Sequence, residues 1–249
     1  MNPVKDMLKA GKTAVGTTGE LTSPVGWLAE SGFDFILFDT QHSPVEIKQL
    51  FSQVQAMRGK KAIPVIRVGE NDQALICYAL DIGAKGIIVP MVDTKRMTED
   101  MVKWCKYPPE GVRSSAGEKG DWGKFDKYRD YMDVVNREVL VIPMIETVES
   151  LNNIDEILSV PGVDILLVGP SDLSINLGIT LDYGNPKYAE ALQKIADACK
   201  RHQVTAGMYF VPPGWEPNRL VDMGFKLFTL PWNKMATDGV AKGLGAIKR

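Results

Sequence analysis

The chain has 249 residues, of which 45% are hydrophobic and 24% charged, with a net charge of −2. This composition supplies a large core and excludes a disordered chain, and the near-neutral balance gives no reason to expect nucleic acid or an anionic membrane as partner. Cys77, Cys105 and Cys199 stand singly without a C-x-x-C pair, and the start of the chain lacks an apolar signal core. No apolar run approaches the ~18 residues of a membrane span, so a reducing cytoplasm is the expected setting.

Strands and helices are expected to alternate along the whole chain. A short strand over 13–17 precedes a helix over 24–31. A strand over 33–39 leads to a helix over 44–57, and one over 62–67 to a helix over 71–82. The fourth pair is a strand over 86–89 and a helix over 95–106. The runs Val139-Leu140-Val141-Ile142-Pro143-Met144-Ile145 and Asp164-Ile165-Leu166-Leu167-Val168 are apolar on both faces, which marks strands of a parallel sheet wrapped by helices. They lead to helices over 148–158 and 187–202. Strands over 205–208 and 226–229 follow, with helices over 215–223 and 233–247. Eight β-then-α units in a length close to the ~250 typical of the architecture point to a single (β/α)8 TIM barrel over 1–249. The competing arrangement is a doubly wound open sheet, which does not call for eight units. One long connection, 107–136, breaks the rhythm and carries the aromatics Trp122, Phe125, Tyr128 and Tyr131. It follows a helix, so it starts at the end of the barrel opposite the usual site. That placement argues against a catalytic role for Arg113 within one subunit.

Chemistry in such barrels sits at the carboxyl ends of the strands. There the sequence offers Asp39, Gln41 and His42 after the second strand, and Arg67 at the end of the third. Glu146 follows the fifth strand and Gly169 to Asp172 the sixth. Glu146 and Asp172 are hard oxygen donors with no cysteine beside them, which suits Mg²⁺ or Mn²⁺. Each acid could instead form an ion pair or cap the next helix, and Asp172 stands where an N-cap belongs. His42 is one of two histidines and reads either as a proton carrier or as a hydrogen-bonded loop residue. His202 ends a helix, where a cation suits the helix dipole. Arg67 follows the buried run Ile63-Pro64-Val65-Ile66, and an arginine so placed usually holds an anion. The loops after strands seven and eight lack the glycine-rich form of a phosphate site. Lys61, Lys85 and Lys226 all precede strands, so no lysine is placed for a Schiff base.

The segment Phe38-Asp39-Thr40-Gln41-His42-Ser43-Pro44 resembles the histidine loop of the HpcH/HpaI aldolases. So, in order, do Pro64-Val65-Ile66-Arg67-Val68, Val89-Pro90-Met91-Val92, Pro108-Pro109-Glu110-Gly111-Val112-Arg113, Ile145-Glu146-Thr147 and Gly169-Pro170-Ser171-Asp172-Leu173-Ser174. The resemblance implies a class II aldolase that makes or cleaves 4-hydroxy-2-oxo acids, with pyruvate as the enol partner and an aldehyde as the other. It implies Glu146 and Asp172 as ligands of a divalent metal (Mg²⁺, Mn²⁺ or Co²⁺), and Arg67 as the group that holds the enolate oxygen. His42 is implied as the proton carrier, and the amides of Ser171 and Asp172 as receivers of the substrate carboxylate. Asp81 is implied as an acid that meets the histidine of a neighbouring subunit. A homo-oligomer, commonly a hexamer with the last helix exchanged between subunits, goes with it. Two positions depart from many relatives, Gln41 in place of Glu and Met144 in place of Gln. Phe210 and Trp232 are expected to line the aldehyde pocket. A lyase or decarboxylase of oxaloacetate-like acids, and a non-catalytic barrel that binds a metal–carboxylate ligand, are the competing functions.

Overall fold

The computed structural model describes residues 1–247; the last two positions of the expected domain lie outside the described residues. Eight parallel strands pair in chain order: β1 (Ala14–Gly19), β2 (Phe35–Asp39), β3 (Ile63–Arg67), β4 (Gly86–Val89), β5 (Leu140–Ile145), β6 (Ile165–Val168), β7 (Thr205–Met208) and β8 (Phe225–Leu230). Strand β8 pairs back onto β1, Phe228 opposite Val15, so the sheet is a closed barrel, as the alternation of elements implies.

The period-two alternation of a strand divides the apolar residues into two sets. Phe35 and Leu37, Ile63 and Val65, Leu140, Ile142 and Met144, and Ile165 and Leu167 fill the barrel interior. Their neighbours Ile36, Phe38, Ile66 and Val141 face the helices on one side, and Leu166 and Val168 do so on the other. The strands therefore read as continuous apolar runs because both faces are covered.

The outer layer holds α2 (Val25–Leu28), α3 (Phe51–Ala56), α4 (Gln73–Asp81), α5 (Lys95–Cys105), α7 (Val148–Asn152), α8 (Ile154–Leu158), α10 (Pro186–His202) and α11 (Pro217–Met223). Several expectations need correction. The helix expected over 44–57 is a 3-10 turn at Ile47–Leu50 followed by the shorter α3. That expected over 148–158 is interrupted at Asn153, whose side chain bonds the Asp93 carbonyl instead of continuing one helix. Three helices were not anticipated: α1 (Pro3–Lys9), α6 (Tyr128–Glu138) and α9 (Pro170–Asn176). Helix α1 sends Val4 and Leu8, one helical turn apart, into the bottom of the barrel, and Lys5 pairs with Asp164 at 2.7 Å. Helix α6 turns the aromatic connection into a satellite core, with Tyr131 and Val135 packed on Tyr107 and Trp122. Asn136 holds the Tyr107 backbone by two hydrogen bonds, at 2.7 and 2.9 Å.

The last helix, α12 (Trp232–Gly245), behaves differently from the rest. It buries no residue, and Met235, Val240 and Leu244 are exposed along it. Among the described residues no helix is long and apolar enough to cross a membrane.

Candidate active site

The interior alternation fixes what reaches the carboxyl end of the barrel. Continuing each inward series by one step gives Asp39 after Leu37, Arg67 after Val65, Glu146 after Met144 and Gly169 after Leu167. Tyr209 also packs against the interior set, from the end of β7. These residues, from five strands, thus converge on one mouth without any special loop conformation.

Asp39 and Arg67 are directly paired neighbours in the β2–β3 register. The Arg67 Nε donates to Asp39 Oδ1 at 2.8 Å and Nη2 to Oδ2 at 2.5 Å, a two-point fork of the kind arginine's planar head favours. Asp39 also accepts the backbone N–H groups of Gln41, at 2.9 Å, and His42. Burial alone would raise the Asp39 pKa, but the Arg67 hydrogen bonds and charge hold it below the usual aspartate value. Burial likewise opposes the Arg67 charge, yet the Asp39 bonds keep the guanidinium pKa above its ordinary value. Its Nη1 meets only the thioether of Met144, at 3.9 Å, a weak acceptor. Arg67 is 4% exposed, so a buried cation has a free donor edge turned to the site. Sequence reading assigned Asp39 no role; the β2–β3 register supplies the missing signal.

The opposite wall is built on carboxylates. Glu146 is 1% exposed. Its Oε2 accepts the Met91 N–H at 2.8 Å, which Met91 offers from a left-handed backbone at φ 52°, a strained geometry for a non-glycine residue. Its Oε1 lies against Gly169, so close that a Cβ there would stand 2.2 Å away. Burial raises the Glu146 pKa; the Met91 bond opposes this, the Asp172 charge adds to it, and Arg67 and His42 counter it. Asp172 is half-buried in the first turn of α9. The N-cap of that helix is Gly169, not Asp172. Ser171 and Asp172 carry two first-turn amides, which have no acceptor within the helix, and the Ser171 hydroxyl lies 3.4 Å from that of Tyr183. Two carboxylates gathered with no ion-pair partner among the described residues, one beside a glycine that makes room for it, fit a hard divalent ion. Such an ion would take the rest of its shell from substrate and water. Among the described residues no cage of three or more potential ligand side chains forms, so the protein would supply two.

His42 is exposed on the loop after β2, near enough for its charge to bear on Glu146. Asp81, at the far end of α4, does not meet it. Asp81 instead pairs with Arg113 Nη2 at 2.8 Å, and the Arg113 guanidinium stacks on the Tyr107 ring at 4.6 Å. Arg113 from the long connection is thus tied to Asp81 and not to the barrel mouth. A groove of about 810 Å³ runs from the histidine loop, at Thr40, Ser43 and Val45, along α4 to Tyr78 and Asp81. Gln41 keeps its side-chain oxygen buried without a hydrogen-bond partner. Phe210 packs edge-on to Tyr183 at 6.4 Å, while Trp232 is half-buried and its backbone N–H is held by the Thr17 hydroxyl at 3.2 Å. His202 bonds Asp155 at 2.9 Å, away from the site.

Residues 20–236 match the family model described as HpcH/HpaI aldolase/citrate lyase. A 2-keto-3-deoxy-L-rhamnonate aldolase of Escherichia coli is 34% identical over 219 residues, covering 85% of this chain and 80% of its own. The crystal structure of an HpcH/HpaI aldolase from Desulfitobacterium hafniense superposes with a TM-score of 0.87 at 29% identity, covering 98% of this chain and 96% of that one. A citrate synthase, SbnG, superposes with a TM-score of 0.81 at 28% identity, covering 98% of each chain.

Proposed function

The chain belongs to the HpcH/HpaI aldolase/citrate lyase family, and from that premise we propose that it is a metal-dependent aldolase that reversibly cleaves a 4-hydroxy-2-oxo acid to pyruvate and an aldehyde. The observation that carries this reading is the pairing of a carboxylate wall, Glu146 and Asp172, in which neither acid has an ion-pair partner among the described residues, with a buried arginine whose donor edge is free. A divalent cation (Mg²⁺, Mn²⁺ or Co²⁺) held by Glu146 and Asp172 would supply Lewis-acid polarisation of the substrate's carboxylate and keto oxygens. The Ser171 and Asp172 amides receive the carboxylate. Arg67 donates to the keto oxygen, where negative charge grows as the bond breaks; a donor fixed in advance is worth most there. His42 takes the proton from the C4 hydroxyl. The C3–C4 electrons pass to the 2-oxo carbon's enolate, the aldehyde leaves, and a proton added at C3 gives pyruvate; condensation is the reverse. The relatives named for 2-keto-3-deoxy-L-rhamnonate support a 2-oxo acid of this class. Phe210 and Trp232 then face the aldehyde portion.

The assembly we propose is a cytoplasmic homo-oligomer, a hexamer, in which Asp81 of one subunit orients His42 of the next and α12 is exchanged. Three observations support it. His42 has no side-chain hydrogen bond within the described chain. Helix α12 buries nothing. The groove that leads to Asp81 has apolar walls, with Tyr78 60% exposed.

The test is product analysis after chelator treatment and re-addition of Mg²⁺ or Mn²⁺. Pyruvate incubated with a panel of aldehydes should yield 4-hydroxy-2-oxo acids, and only with metal. Carbon dioxide released from oxaloacetate, with no aldol product from any aldehyde, would replace this reading with a decarboxylase working through the same enolate.

A further inference from the structure

Arg67 is buried and charged, and the bonds that fix it lie along one edge. Asp39 holds Nε and Nη2, in the plane of the guanidinium. Nothing in that plane stops the head from tilting out of it, and the Met144 thioether at 3.9 Å is too weak an acceptor to do so. An aromatic ring covers the guanidinium. The Tyr209 ring lies 4.3 Å from the guanidinium carbon. Its backbone is anchored by an N–H bond to the Val168 carbonyl at 3.0 Å, on the neighbouring β6. Phe210 packs edge-on to the same ring at 6.5 Å, a second contact that holds it. The Tyr209 hydroxyl reaches Asp39 Oδ2 only at 3.4 Å, beyond the usual range for an O–H donor. Burial pushes its pKa up to about 12, so the phenol stays neutral. The ring, and not the hydroxyl, is therefore the working part.

We propose that Tyr209 is a positioning residue: its ring clamps the face of Arg67 and shields it from water, so that the free donor edge stays aimed at the reacting oxygen. The inference rests on the aldolase reading for its catalytic consequence, but not for the clamp itself. A cation stacked on an aromatic ring in a desolvated place is a substantial contact, and it leaves the in-plane donors free for a ligand. Because Arg67 acts where charge develops, loss of the clamp should lower kcat more than it raises KM.

Two variants separate ring from hydroxyl, and two readouts separate clamp from chemistry. Arg67 reactivity toward phenylglyoxal, located by mass spectrometry on the full-length protein, reads the clamp without any assay of activity. Metal-dependent exchange of pyruvate C3 protons for deuterium reads its consequence. Tyr209→Leu should speed modification of Arg67 about tenfold or more and lower kcat for exchange by a similar factor. Tyr209→Phe should leave both within about threefold of the parent. Equal protection of Arg67 in Tyr209→Leu and the parent protein would overturn the proposal, even if the variant melts at a lower temperature, since that would be a packing role alone. A parent protein that exchanges no deuterium while Tyr209→Leu still exposes Arg67 would remove the aldolase reading and leave the clamp standing.

Discussion

The two walls of the barrel mouth solve opposite electrostatic problems. On the β2–β3 side Asp39 and Arg67 satisfy one another, an acid and a cation joined at two points, and the Tyr209 ring from the end of β7 lies across the cation. On the β5–β6 side Glu146 and Asp172 are like charges brought together, and the buried one has its pKa raised in consequence of burial and of its neighbour. Glu146 has no ion-pair partner among the described residues, and the charges of Arg67 and His42 only oppose the rise that burial causes; a buried carboxylate so placed is costly. The first wall is finished within the chain. The second, on the proposed reading, is completed by a ligand. Strand geometry places Asp39, Arg67 and Glu146 alike, whereas Asp172 comes from the first turn of α9, so the walls differ in residue choice and in the helix that completes the second.

His42 belongs to neither wall, and its removal should give the largest effect that leaves both intact. His42→Ala should cut kcat ~10²–10⁴-fold, the usual worth of a general acid–base group, with Mn²⁺ affinity unchanged by calorimetry. An unchanged kcat across the pH range would remove the histidine from the chemistry.

Gly169→Ala sharpens the contrast between the walls because it deletes no ligand. The new Cβ would stand 2.2 Å from Glu146 Oε1 and must push that carboxylate aside. Displacing a metal ligand through its neighbour typically costs about 10–100-fold in affinity, and Mn²⁺ titration of the variant should show a loss of that order. Arg67 reactivity should not change, since the first wall is untouched.

The smallest effect is a difference in sign with pH. Asp39 has a depressed pKa in the fold, so its contribution to stability is present above the unfolded pKa and lost as pH falls through the lower folded one. Glu146 has a raised pKa, so the fold favours its protonated form: that contribution is present below the unfolded pKa and lost as pH rises through the folded one. Metal-free melting curves should therefore show Glu146→Gln gaining stability over the parent near neutral pH and losing that advantage in acid. Asp39→Asn should be destabilised near neutral pH, with the deficit shrinking only below the usual aspartate range. Parallel curves for the two variants would break the comparison.

Much of this was legible in the sequence because the strands are buried on both faces and so announce themselves as apolar runs. Arg67 and Glu146 could be found by asking which polar residue ends such a run. Asp39 was visible at a strand end, but its pairing with Arg67 needs the register of β2 against β3, which a single sequence does not state. Tyr209 meets Arg67 across the barrel, between strands far apart in the chain, and only closure brings them together. Helix α6 was hidden in the connection by its aromatics, although Tyr131 and Val135 stand one helical turn apart. The interruption at Asn153 was hidden because an asparagine side chain bonded a distant carbonyl. The last helix was legible, but no described part of this chain covers its exposed Met235, Val240 and Leu244.

The central claim is that the carboxylate wall and Arg67 together stabilise the enolate of a 2-oxo acid, and it can be tested without knowing the aldehyde. The measurement is exchange of the pyruvate C3 protons for deuterium, followed by proton magnetic resonance. Exchange is expected with Mg²⁺ or Mn²⁺, none in excess chelator, and none in Glu146→Ala or Asp172→Ala at any metal concentration the parent needs. Exchange at the full rate in excess chelator, or no exchange by the metal-loaded parent protein, would contradict it.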